Sequence, residues 1–157
     1  MSSVQPSYGG AAGRPQFSAR TLWAGGFASA LVAALIALVG ILIFRGVFNI
    51  PVLAPERDGA WGNSSTVGYM VAAAVGALLA TALVHFLLIS TPRALRFFSW
   101  IIGLATAAAA IAPFATDAEM SSKVATGIIN LVIGIAILSL VSAVARSAVA
   151  RGVTEPG

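Results

Sequence analysis

The chain has no cysteine, a single histidine and only five acidic residues, and each shortage closes a class of chemistry. Without thiols there are no disulfides, no thiolate metal sites and no cysteine nucleophile. One histidine with no acid near it in sequence provides neither a metal-ligand cluster nor a Ser–His or His–carboxylate relay. Nine basic residues give a net charge of +4. They are scattered singly, without the stripe that tracks phosphates, which excludes nucleic acid as a partner. Neither a Walker lysine motif nor a Rossmann fingerprint occurs, and Gly9-Gly10 and Gly25-Gly26 belong to no phosphate-binding pattern.

Charge itself is the scarcest commodity. Charged residues make up 9% of the chain, hydrophobic ones 59%, and the mean hydropathy is +0.96. Four windows contain no Asp, Glu, Lys or Arg: Thr21–Phe44, Gly59–Pro92, Phe97–Thr116 and Val124–Ala145. A spanning helix needs roughly 20 apolar residues, and only helices or closed barrels satisfy their backbones in lipid. Barrel strands would alternate apolar and polar positions, whereas these runs are apolar on every side. The predicted fold is all-α, a polytopic membrane protein with four transmembrane helices in an antiparallel up-down bundle.

The helices are placed at about Leu22–Phe44, Val67–Ile89, Phe97–Ala115 and Val124–Ala145. Residues 1–21 are expected to form a disordered N-terminal tail, 22–145 the transmembrane domain and 146–157 a C-terminal tail. The first window exceeds the roughly 7–15 residues of a signal h-region and is followed by Arg45, which favours a retained span. Pro113 is expected to end or bend the third helix. In the segment Arg45–Thr66, Val47, Phe48, Ile50, Val52, Leu53 and Trp61 are expected on the membrane surface, and Glu56-Arg57-Asp58 as a solvated turn. Asn63-Ser64-Ser65 fits a glycosylation sequon.

Charge also orients the bundle. Arg14, Arg20, Arg93, Arg96, Arg146 and Arg151 fall on one side, against Arg45, Arg57 and Lys123 on the other. The positive-inside rule then puts both termini in the cytoplasm, in the cell (plasma) membrane. Trp23, Phe86, Phe97, Phe98 and Trp100 would mark the inner interface, and Phe44, Phe48, Trp61, Tyr69 and Phe114 the outer one.

Within the spans, small residues recur every fourth position in helix two: Gly68, Ala72, Gly76 and Ala80. Such a row lets helix backbones approach closely and is read as a packing surface. Gly26, Ala30 and Ala34 form a looser row in helix one, and Gly103 and Ala107 in helix three. His85 lies four residues from the inner end of helix two. It is expected to be an interfacial or packing histidine, with Thr81 one turn earlier as a hydrogen-bond partner; the competing role is pH sensing or substrate binding. Asn130, deep in helix four, shares a face with Gly127 and Gly134. It is expected to make an interhelical hydrogen bond, the alternative being a polar contact in a small cavity or lipid pocket.

Several short motifs carry a family likeness: Trp-Ala-Gly-Gly at Trp23–Gly26, Ile50-Pro51-Val52-Leu53-Ala54-Pro55, Ala112-Pro113-Phe114, Ala125-Thr126-Gly127 and Ala145-Arg146. Through them the chain, from about Leu22 to Arg146, resembles the small four-span membrane proteins of actinobacteria grouped as DUF6069, a domain of unknown function. The resemblance implies a fold and a location, with no activity, catalytic residue or cofactor to carry over. In that family helix four often has a histidine where Asn130 stands here, so no shared ionisable site transfers. The residues themselves favour a non-enzymatic accessory or interaction subunit, without cofactors, whose partners are the lipid bilayer and other membrane proteins or a second copy. The alternative is a small transporter or channel component working as an oligomer. Transporters place polar groups and broken helices at the midplane, and here the midplanes are Ala, Val, Leu and Ile.

Overall fold

The computed structural model describes residues 17–53 and 65–154. Gly9-Gly10, Arg14, Glu56-Arg57-Asp58, Trp61 and the first two residues of the sequon, Asn63 and Ser64, lie outside the described residues. Among those described there is no strand. The helices are α1 (Ala19–Ile41), α2 (Ser65–Ser90), α3 (Ala94–Ile111) and α4 (Met120–Thr154), and all four are long and apolar enough to cross a membrane.

Local chemistry sets their ends. Ser18 caps α1, its hydroxyl accepting from the Thr21 amide at 3.4 Å and the Thr21 hydroxyl at 3.0 Å. At its far end α1 widens into a π-helical turn, Leu42–Val47, where the Phe48 N–H donates to the Ile43 carbonyl at 3.2 Å. Asn49 then stops it with φ 53°, a left-handed conformation that asparagine tolerates better than most residues. The Ile50 N–H closes the terminus on the Phe44 carbonyl at 2.8 Å. Pro113 ends α3 as anticipated: the chain tightens into a 3-10 turn, Ala112–Ala115, with the proline ring buried.

Two sets of contacts fix the up-down arrangement. The Ser18 N–H donates to the Ala148 carbonyl at 3.1 Å, joining the start of α1 to the end of α4. This is the terminal end of the bundle. At the opposite, loop end the Leu53 N–H donates to Thr126 Oγ1 at 3.0 Å, so the chain leaving α1 returns to the start of α4. Val52 is buried and Leu53 half-buried there, against the expectation that both lie on the membrane surface. Val47 and Phe48 do remain exposed. In the bundle α1 sits between α2 and α4, while α3 packs chiefly on α4.

α4 overruns its predicted limit. Arg146 marks where hydrocarbon stops suiting the chain, but nothing breaks a helix before Gly152, so residues to Thr154 are helical rather than tail. Its 35 residues span about 52 Å at 1.5 Å per residue, beyond the roughly 30 Å hydrocarbon core. The extra turns are anchored, since Ala145 and Ala148 are fully buried. In the same way Phe17 and Ser18 belong to the bundle instead of an N-terminal tail.

Alanine fills much of the interior, beside the fully buried Leu22, Val84, Phe98 and Val141, and many large apolar side chains lie on the surface. Ala33, Ala37, Ala77, Ala145 and Ala148 are fully buried, whereas Leu31, Leu79, Leu104 and Ile111 are each more than 60% exposed. Water-soluble domains do the reverse. In lipid, apolar area gains little by moving inward, and close backbone approach holds helices together. Glycines supply that approach. A Cβ on Gly26 would lie 2.5 Å from Thr81 Cγ2, and one on Gly25 would collide with Val144. The Gly25-Gly26 pair therefore seats α1 against α2 and α4 at one level. A Cβ on Gly127 would lie 2.8 Å from the Ala110 carbonyl oxygen, and one on Gly134 would collide with Thr106, so α3 and α4 approach in the same manner.

Overpacking such contacts costs about 1–3 kcal/mol. Gly26→Val and Gly134→Val are expected to lower unfolding stability in detergent by at least that amount. Gly103→Ala, which enters open space, is expected to leave it unchanged or raise it. Equal effects at buried and open glycines would contradict this packing account.

Candidate functional site

The small-residue row of α2 divides among three environments. Ala80 is buried, Ala72 and Gly76 line a cleft, and Gly68 has nothing within 4 Å of where its Cβ would be. The face of α2 turned into the bundle is the adjacent one, with Tyr69, Ala73, Ala77, Thr81 and Val84 buried. The physical reason lies on the neighbouring helix: α1 contributes the glycine at this crossing, so α2 can present Thr81.

The cleft, about 560 Å³, lies between α2, α3 and α4 and is capped at the loop end by Leu53 and Pro113. It exists because α3 is gripped by α4 on one side while α2 stays further off. Its most polar feature is a chain of hydrogen bonds. The Tyr69 hydroxyl donates to Asn130 Oδ1, and Asn130 Nδ2 donates to the Ala109 carbonyl at 2.7 Å. One side chain of α4 thus ties α2 to α3. Gly127 and Gly134, one turn to either side, are what let α3 come within reach. Near the mouth the Thr126 hydroxyl accepts from Leu53 and donates to the Ser122 carbonyl at 2.7 Å.

Asn130 therefore makes the interhelical bond expected of it and also lines a cavity. Tyr69 was not singled out as its partner. Its ring suggested an interfacial anchor, yet the residue is 6% exposed. The available signal was a phenol inside an uncharged span, because a hydroxyl buried in apolar surroundings needs a partner.

His85 belongs to a different place. It lies 16 residues along α2 from Tyr69, about 24 Å at helical rise, so His85 and Asn130 do not form one site. Its ring centroid is 5.2 Å from Phe17, edge-on, and 6.3 Å from Trp23. The buried Nδ1 has no hydrogen-bond partner among the described residues. Thr81 does not serve it; its hydroxyl donates to the Ala77 carbonyl at 2.9 Å.

A chain whose described elements are all helical, with four helices of membrane-crossing length and a polar seam used between its own helices, is an integral membrane protein of the multi-pass class. It belongs to a family of unknown function, DUF6069, whose match covers residues 17–148. No curated protein and no solved structure matches the chain.

The Tyr69–Asn130 pair should be energetically coupled. Side-chain hydrogen bonds between membrane helices are worth about 0.6–2 kcal/mol. A double-mutant cycle of Tyr69→Phe and Asn130→Leu, read by unfolding in detergent, is expected to give a coupling in that range. Tyr69→Phe combined with Ser139→Ala should give none, because Ser139 bonds to the Ala136 carbonyl of its own helix. Coupling of equal size in both cycles would refute the seam.

Proposed function

We propose that this protein is a non-enzymatic accessory subunit of the plasma membrane that binds an apolar helix of another membrane protein through α3. The observation that carries the reading is the sorting of glycines. Gly25, Gly26, Gly40, Gly127 and Gly134 face neighbouring helices of the same chain; Gly46, Gly68 and Gly103 face open space, and of these three Gly103 sits near the middle of a span whereas Gly46 and Gly68 sit at span ends. Ala107, one turn on, is also exposed, and Trp100, Leu104 and Ile111 surround the pair. At 3.6 residues per turn this face points away from the cleft, which takes Ile102, Ala105, Thr106 and Ala109. A small-xxx-small step on an outward face is the usual contact of one membrane helix with another. α3 is also the span least embedded in its own bundle, with Ala94 and Phe98 its buried residues.

Polar groups within the spans support this role over transport. The Ser29, Ser99 and Ser139 hydroxyls bond to carbonyls of their own helices, and Asn130 is engaged by Tyr69 and Ala109. Transporters build their sites at the bilayer midplane around broken helices, whereas the midplanes of these spans are Ala, Val, Leu and Ile. For orientation, Arg20, Arg93, Arg96, Arg146 and Arg151 gather at the terminal end, and Arg45 and Lys123 at the loop end. That imbalance supports a cytoplasmic terminal end.

Mild-detergent purification from native membrane is expected to yield a stoichiometric protein partner. Gly103→Leu should reduce that partner about fivefold or more, from an overpacking cost of about 1–3 kcal/mol, without changing the fold. A partner retained at wild-type level would refute the α3 interface. The lack of native cysteine makes orientation directly testable. Asp117→Cys should react with a membrane-impermeant maleimide in intact cells, and Ser90→Cys only after lysis; the opposite labelling would invert the topology.

A further inference from the structure

The cleft between α2, α3 and α4 has a gradient of polarity along the membrane normal. Thr116, Thr126, Tyr69 and Asn130 line the loop end, and Ile102, Ala105, Gly76 and Ile137 the deeper part, where Thr106 is the one polar lining residue among those described. From Asn130 to Ile137 the helical rise is about 10 Å, so the apolar portion extends toward the bilayer midplane. A volume near 560 Å³ falls within the roughly 300–1,000 Å³ of small-molecule sites. In hydrocarbon such a cleft, open between α2 and α3, is exposed to lipid.

Three features select the occupant. First, no charged residue among those described lines the cleft, and a charged headgroup or free carboxylate would enter unpaired at great cost. Second, the polar end is directed toward a membrane surface and the apolar end toward its centre, matching an amphiphile lying along the lipid chains. Third, the hydrogen-bond capacity left over is specific. An amide nitrogen has two N–H donors, and Asn130 commits one to Ala109, leaving a donor without a partner among the described residues. An uncharged acceptor answers it.

We infer that the cleft binds one acyl chain of a glycerolipid, with the ester carbonyl accepting from Asn130 beside the Tyr69 hydroxyl. The chain fills the channel between Gly76, Ala105 and Ile137, and the glycerol lies at the mouth near Thr116 and Thr126. The site is separate from the outward Gly103–Ala107 face and does not depend on a protein partner.

The test places the full chain in nanodiscs of ether-linked phosphatidylcholine, which carries no ester carbonyl. The discs are doped with a diacylglycerol bearing a diazirine on its acyl chain, and adducts are mapped after illumination. Adducts are expected on Ile102, Ala105, Ile133 or Ile137 in excess of those on the lipid-facing Leu31 and Leu79. The ether-linked version of the probe should label the cleft about fivefold less, the factor one neutral hydrogen bond supplies, and the matching diazirine fatty acid should also label it less. Asn130→Leu should abolish the ester preference. Ala105→Trp, at an exposed position, should remove cleft adducts while leaving those on Leu31 and Leu79. Gly76→Leu is a second blocking variant, because a Cβ there meets only Ile137 Cδ1 at 4.0 Å. Equal labelling by ester and ether probes, labelling no stronger than at Leu31, or labelling unaffected by both blocking variants would overturn the assignment. Failure here with partner capture intact would leave the α3 interface standing, and the reverse result would leave the lipid site.

Discussion

Close approach between helix backbones is the condition on which the rest of this structure rests. A water-soluble bundle can lean on the expulsion of water from its core; helices already surrounded by hydrocarbon have little to gain from that source. What remains is van der Waals contact at short range, and the contact is made where glycine removes a side chain. Gly25 and Gly26 place α1 against two neighbours at once, and Gly127 and Gly134 do the same for α3 and α4. The alanine-rich interior and the leucine-, isoleucine- and phenylalanine-rich exterior follow from this requirement. Many large side chains can turn outward because lipid accommodates them as well as protein does, although Leu22 and Phe98 are fully buried.

Polar groups follow the same constraint by another route. A serine or threonine inside a helix can bond to the carbonyl one turn back, as Ser29, Thr81 and Thr126 do, and so needs nothing from a neighbour. The Asn130 amide goes further, bonding to the Ala109 carbonyl across a helix interface, and the glycines to either side make that possible. Tyr69 then supplies the third helix. The bridge and the cleft are two results of one arrangement. α4 holds α3 closely along the glycine face, α2 is held by α1, and the space between α2 and α3 is left for something other than protein backbone.

α3 is accordingly the span least covered by its own bundle. One side lines a cleft with a polar end and an apolar end; the other presents Gly103 and Ala107 to the bilayer. The terminal end contrasts with this. There Phe17, Trp23 and His85 form a ring cluster, and the Ser18–Ala148 bond ties α1 to the overrunning α4.

Four spans, the helical class and the tightening at Pro113 could be read from the amino acids because each depends on a segment and its solvent alone. A run without charge must become a helix in lipid whatever lies beside it, and a proline without an N–H disturbs a helix in any company. The grouping of Asn130 with Gly127 and Gly134 on one face was equally local, being a consequence of helical period. Which small-residue row of α2 turns inward, that Tyr69 is the partner of Asn130, and that Thr81 lies beneath Gly26 were decided by the fold. Inner and outer faces of these helices are almost equally apolar, so hydropathy cannot distinguish them. The choice falls instead to the shapes of side chains on other helices, and those meet only once the bundle is assembled.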